Sequence, residues 1–179
     1  AQVGAAIPSF WLGLLLILFF SVELQVLPAG GFTPWGRDFA GAVRSLLLPA
    51  LALGLGQAAV LTRMTRASLL DVLRQDYVRT ATAKGAGRGR VVVRHALRNA
   101  MVTIITVIGL SLAQVLVGAI VVEQVFSLPG LGRLALTAIG ARDFPLLQAQ
   151  VVLYAAAIIL LNFIVDVFYA VLDPRIRYS

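Results

Sequence analysis

The sequence predicts an all-α, polytopic membrane bundle, and three observations carry that prediction. Of 179 residues, 60% are hydrophobic and only 13% are charged, with a mean hydropathy of +0.93. A soluble domain carries about 25% charged residues. Four apolar runs follow one another along the chain, and the basic residues are segregated between them, leaving a formal net charge of +7. The absence of cysteine removes any disulfide framework or Cys-based metal site, and the single His95 removes a His-rich cluster.

The first run, residues 3–22 ("VGAAIPSFWLGLLLILFFSV"), is uncharged, as are the second, 45–62, and the third, 100–122. The fourth, 146–172, holds one charge, Asp166. At 1.5 Å per residue, about 20 residues cross a hydrocarbon core of roughly 30 Å. Backbone polar groups in lipid must be satisfied within the segment, so each run is expected to be a helix. On the second run Ala50, Gly54 and Ala58, and also Ala52 and Gly56, follow the small-xxx-small spacing that lets helices approach closely.

Eleven of the 15 basic residues lie in the segment 63–99 or in the tail, as Arg175 and Arg177. Only Arg37 and Arg44 lie in the segment 23–44, and only Arg133 and Arg142 in 123–145. The positive-inside bias puts 63–99 and the C-terminus in the cytoplasm and the other two loops outside. A loop of this kind also suits anionic lipid headgroups.

The central loop reads as ordered. "DYVRTATAK" is expected to form a short helix with Asp76 as N-cap. Tyr77, Ala81 and Lys84 share one face, while Thr80, Ala81 and Ala83 are small enough for another protein to approach. Gly85 is placed to stop the helix. "GAGRG" is a glycine turn, and beyond it Arg90, Arg94 and Arg98 form a basic stripe opposite Val93, Leu97 and Met101. That pattern predicts an amphipathic helix at the membrane surface leading into the third run.

The outer segment 123–145 contains a Pro129-Gly130 turn and then a short helix from Leu131, through Gly132, with Leu131, Leu134, Ala135 and Ala138 on one face. Polar residues within the apolar runs are Gln57, Gln114, Asn162 and Asp166, which could line a translocation path or join helices. Asp166 is two turns from the cytoplasmic end, where it can snorkel or pair with Arg175 or a loop arginine.

"AKGAGRGR" is not a P-loop, since it lacks GxxxxGK[ST] and follows no strand. Nor is it a Rossmann fingerprint. A nucleic-acid face would need stacking aromatics, and Tyr77 is the one available. No catalytic constellation stands out. An enzyme of its own is not expected; energy would come from a partner or from an ion gradient.

At these residues the chain resembles the permease subunits of bacterial ABC importers, in the dipeptide, oligopeptide and nickel branch. Arg79-Thr80-Ala81, Gly85 and His95-Ala96-Leu97-Arg98 stand where that family's cytoplasmic signature has E-A-A, Gly and I-x-L-P. "IPSFWLGLLLI", "LTRMTRASLLDVL", "VFSLPGLGRL", "RDFPLLQ" and "NFIVDVFYAVLDPRIRY" also look like that branch. The resemblance implies a type I ABC-importer-like fold and one permease domain over 1–179, corresponding to the last four of six spans. The N-terminal part of a longer protein is then expected upstream of Ala1. It also implies that the Asp76–Gly85 region is a coupling helix on a separate ATPase, and that Pro129–Gly132 belongs to an outer gate. The implied partners are a second permease, two ATP-binding cassette subunits carrying ATP and Mg, an extracytoplasmic solute-binding protein and membrane lipid, with no nucleic acid and no cofactor on this chain. The implied location is the bacterial inner membrane. A secondary transporter driven by an ion gradient and a membrane scaffold are the competing readings.

Overall fold

The computed structural model describes residues 7–85, 87, 89 and 91–172. Among these the chain is all-α. A short helix α1 (Ser9–Leu16) runs into a π-helical turn, Ile17–Glu23. The long helix α2 (Phe39–Leu73) and the short α3 (Asp76–Ala83) follow. A second π-helical segment, Val91–Leu97, leads into α4 (Arg98–Val125). The chain continues with the short α5 (Leu131–Ala141) and ends in α6 (Phe144–Leu172).

Among the described residues three helices are long and apolar enough to cross a membrane: 39–73, 99–125 and 144–168. The expected first span differs. Its described helical part is the 15 residues Ser9–Glu23, and positions 3–6 lie outside the described residues. The second helix is longer than the expected 45–62 at both ends. Its first turn closes from the Asp38 carbonyl to the Ala42 amide at 2.9 Å, and it continues to Leu73. Apolarity stops at Thr62, but "RMTRASLLDVL" contains no glycine or proline, and charge does not end a helix. Pro49 sits inside α2 and offers no amide to the Ser45 carbonyl. The buried Ser45 hydroxyl donates instead to the Ala42 carbonyl at 2.8 Å.

Close contacts group the chain into two units, Ala1–Ala59 with Ala113–Ala157, and Val60–Leu112 with Ile158–Ser179. In the first unit Leu48, Ala52, Val122 and Phe126 form a buried cluster. Phe126 is its hub. A Cβ on Gly13 would stand 3.0 Å from the Phe126 ring, and the Gly31 amide donates to the Phe126 carbonyl at 2.8 Å. Of the small residues expected to pack on α2, Ala52 is buried, while Gly54 and Gly56 have nothing within 4 Å of a built Cβ. The close approach on this helix is made from the other side, with Gly118 of α4 set against Leu53.

In the second unit Val72, Ala96, Ala100 and Ile104 form the buried cluster, with Leu69, Leu97 and Met101 against it. Gly109 of α4 packs on Val165 of α6. The expected amphipathic helix begins as a π-helix over Val91–Leu97, and of its expected apolar face Leu97 and Met101 pack on the cluster while Val93 does not. Val93 is 65% exposed, whereas Val91, Ala96 and Ala100 are buried. A π-helix closes i→i+5 bonds, so Val91 and Ala96 come to one face, and α spacing then adds Ala100 and Ile104.

Candidate functional site

Helix α3 is the most exposed ordered element of the central segment. Its N-cap is Gln75, in extended backbone, rather than Asp76. Asp76 is the first helical residue, where its charge still complements the helix N-terminus. It lies 3.7 Å from Arg79 in an exposed pair, which contributes little. Thr80 and Thr82 donate their hydroxyls back to the carbonyls of Asp76 and Val78, at 3.0 and 2.9 Å. Gly85 ends the helix at φ +83, with its amide donating to the Thr82 carbonyl. A side chain there would be strained by the backbone alone, since nothing stands within 4 Å.

Two contacts of α3 escape a reading of the sequence. Val78, 4% exposed, is its buried anchor. The Asn99 amide nitrogen donates to the Tyr77 hydroxyl at 2.6 Å, joining α3 to the first turn of α4. The outward face is then Asp76, Tyr77, Arg79, Thr80, Ala83 and Lys84, with Ala81 half-buried. Of the basic stripe, Arg90 lies outside the described residues, the backbone of Arg94 is in the π-helix and that of Arg98 opens α4.

At the other end of α4, Glu123 organises the turn into α5. Its Oε2 accepts from the Arg133 amide at 3.0 Å, and its carboxylate occupies the space a Cβ on Gly130 would need. Gly130 is the N-cap of α5. Of the face expected on α5, Ala138 is buried while Leu131 and Leu134 are 42% and 41% exposed, and Gly132, outside that face, is buried as well. A Cβ on Gly132 would lie 2.5 Å from the Ile120 Cα, so the α5 backbone itself rests on α4 and turns the leucines outward. Pro129, Gly130, Leu131, Arg133, Leu134 and Thr137 line a shallow groove here.

The polar residues singled out within the apolar runs fall two in each unit: Gln57 and Gln114 in the first, Asn162 and Asp166 in the second. Gln57 is half-buried, with Oε1 unpartnered; Gln114, Asn162 and Asp166 are exposed. The expected partner Arg175 lies outside the described residues. Gln150 of α6, not among the candidates, is 5% exposed and neither of its amide atoms has a partner. A glutamine within an uncharged stretch was the available signal.

No group of three or more potential metal ligands occurs among the described residues. Long apolar helices joined by a short exposed helix define a multi-pass, all-α membrane component. The chain belongs to the family described as "Binding-protein-dependent transport system inner membrane component", which it matches over residues 1–178. It is 48% identical over 179 residues to the glutathione transport system permease protein GsiC of Escherichia coli (strain K12), covering 100% of this chain and 56% of that protein. It is 44% identical over the same length to the putative peptide transport system permease protein BAB2_1050 of Brucella abortus (strain 2308), covering 57% of it. The chain thus spans a little over half the length of these relatives.

Proposed function

We propose that this chain forms the membrane-spanning path of an ATP-driven importer for peptides or peptide-like solutes. In this reading a solute-binding protein delivers the solute from outside. A second permease completes the path, and two separate ATPase subunits, with ATP and Mg, supply the energy. Helix α3 is the coupling helix, docking on an ATPase through Tyr77, Arg79, Thr80, Ala83 and Lys84. Segment 63–99 and the C-terminus are cytoplasmic, and Pro129–Gly132 is part of an outer gate. Gln57 and Gln114 line the path or join helices, and Asn162 and Asp166 do the same in the second unit. The bundle of spans would rock between inward-open and outward-open states as ATP closes the ATPase pair.

The observation carrying this reading is an exposed eight-residue helix, closed by a left-handed glycine and anchored by Val78, between long apolar helices of a chain 48% identical to a glutathione permease. The relatives' printed cargoes, glutathione and peptide, share an amide backbone with free charged ends, which defines the solute class proposed.

The test uses Ala83→Cys in the full-length protein, with any cysteine outside this segment replaced. Cross-linking to the cognate ATPase in membranes is expected, with a yield that changes when ATP is added. No cross-link, with both subunits present and assembled, would leave α3 as a lipid-facing anchor and favour the ion-driven or scaffold readings.

A further inference from the structure

We infer that Asn99 is a positioning residue which, through Tyr77, fixes the coupling helix to α4 so that the two move as one body. The inference rests on the docking role proposed above for α3.

The side-chain bonds of Thr80 and Thr82 and the Asp76–Arg79 pair are all internal to α3. None of these contacts ties α3 to another element. The bond from Asn99 to Tyr77 differs, because it bridges 22 residues at 2.6 Å. Its two ends lie on either side of the glycine turn and the π-helix Val91–Leu97. Both intervening pieces are poor transmitters of force: Gly85, Gly87 and Gly89 are permissive, and a π-helix has weaker, re-registrable bonding. A displacement of α3 carried only along the backbone would be absorbed there. The Tyr77–Asn99 bond bypasses both and delivers it to the first turn of α4, above the buried Ala96, Ala100 and Ile104. Val78, buried, anchors α3 by packing, while the Tyr77–Asn99 bond is the contact that reaches α4 itself.

The test needs no knowledge of the cargo. The full-length protein, assembled with its ATPases and reconstituted in phosphatidylethanolamine/phosphatidylglycerol vesicles, carries spin labels at Ala83→Cys and Thr103→Cys, both exposed positions. Label-to-label distances are read with and without ATP. With Tyr77 and Asn99 in place, one narrow distribution is expected that ATP leaves unchanged. Tyr77→Phe removes a single oxygen, and Asn99→Leu removes the donor. Each should raise the fraction of label pairs outside the narrow distribution on ATP addition by roughly three- to tenfold, the reach of one hydrogen bond. The double variant should be no worse than either single one.

A distribution that shifts with ATP when both residues are present, or that is the same in Tyr77→Phe, overturns the inference. So do two single effects that multiply in the double variant. If Asn99→Leu fails to assemble, Tyr77→Phe decides alone. The two proposals fail separately: an absent Ala83→Cys cross-link to the ATPase removes the docking role, and an intact cross-link with unchanged distances removes only the link through Asn99.

Discussion

Gly132 of α5 lies so close to Ile120 of α4 that a Cβ on the glycine would stand 2.5 Å from the isoleucine Cα. The outer helix is therefore seated backbone against backbone. Gly132→Ala forces the helices apart or unseats α5, and overpacking of this kind costs about 1–3 kcal/mol. A lower unfolding temperature is expected for the full-length protein in detergent, with a larger drop for Gly132→Val. An unchanged midpoint for both would mean that α5 does not sit on Ile120.

Glu123 holds the start of the same helix by accepting from the Arg133 amide. Glu123→Ala removes a helix-terminal acceptor, a loss of about 0.5–2 kcal/mol. Glu123→Gln keeps an oxygen but loses the charge that favours a helix N-terminus, a loss of about 0.3–1 kcal/mol. Amide hydrogen exchange across 131–141 should quicken in the order Gln, then Ala. Equal protection in all three proteins would contradict a capping role.

Gly85 sits at φ +83 in open space, so its requirement is for backbone conformation and not for room. Gly85→Ala should loosen α3 by about 1–2 kcal/mol, while Gly85→Asn, tolerant of the left-handed region, should do less harm. Exchange protection of 76–83 reads the difference. If α3 is the coupling helix, ATP hydrolysis without solute uptake follows the same order. An alanine variant as protected as the glycine would remove the argument.

Gln150 is buried with neither amide atom bonded. Gln150→Met of similar length removes unpaired polar atoms, so stability should be unchanged or higher, by up to about 1–3 kcal/mol. A stable variant with reduced uptake would assign Gln150 to solute passage. A marked fall in unfolding temperature would show instead that Gln150 is bonded in the full-length protein.

Much of this was legible along the chain. The helices 39–73, 99–125 and 144–168 each contain a long apolar run, and lipid leaves the backbone of such a run no other way to satisfy its polar groups. The glycine stop of the short helix at 76–83 follows from local chemistry at Gly85, while its N-cap is Gln75 and not the expected Asp76. The ends of α2 were less legible, because the edge of apolarity at Thr62 marks where a helix leaves lipid and not where it stops.

What the sequence by itself determined is the set of helices, the segregation of charge and the family. Each is a sum over many residues or a local backbone preference, and neither needs a neighbour from elsewhere in the chain. The tertiary structure decided which faces meet. It made Val91 and Ala96 partners through a π-helical register, turned Leu131 and Leu134 outward by seating Gly132 on Ile120, and brought Glu123 to Arg133 and Asn99 to Tyr77. The last three pairings depend on close packing and hydrogen-bond geometry between residues 10 to 22 positions apart, for which no periodicity along the chain is a signal.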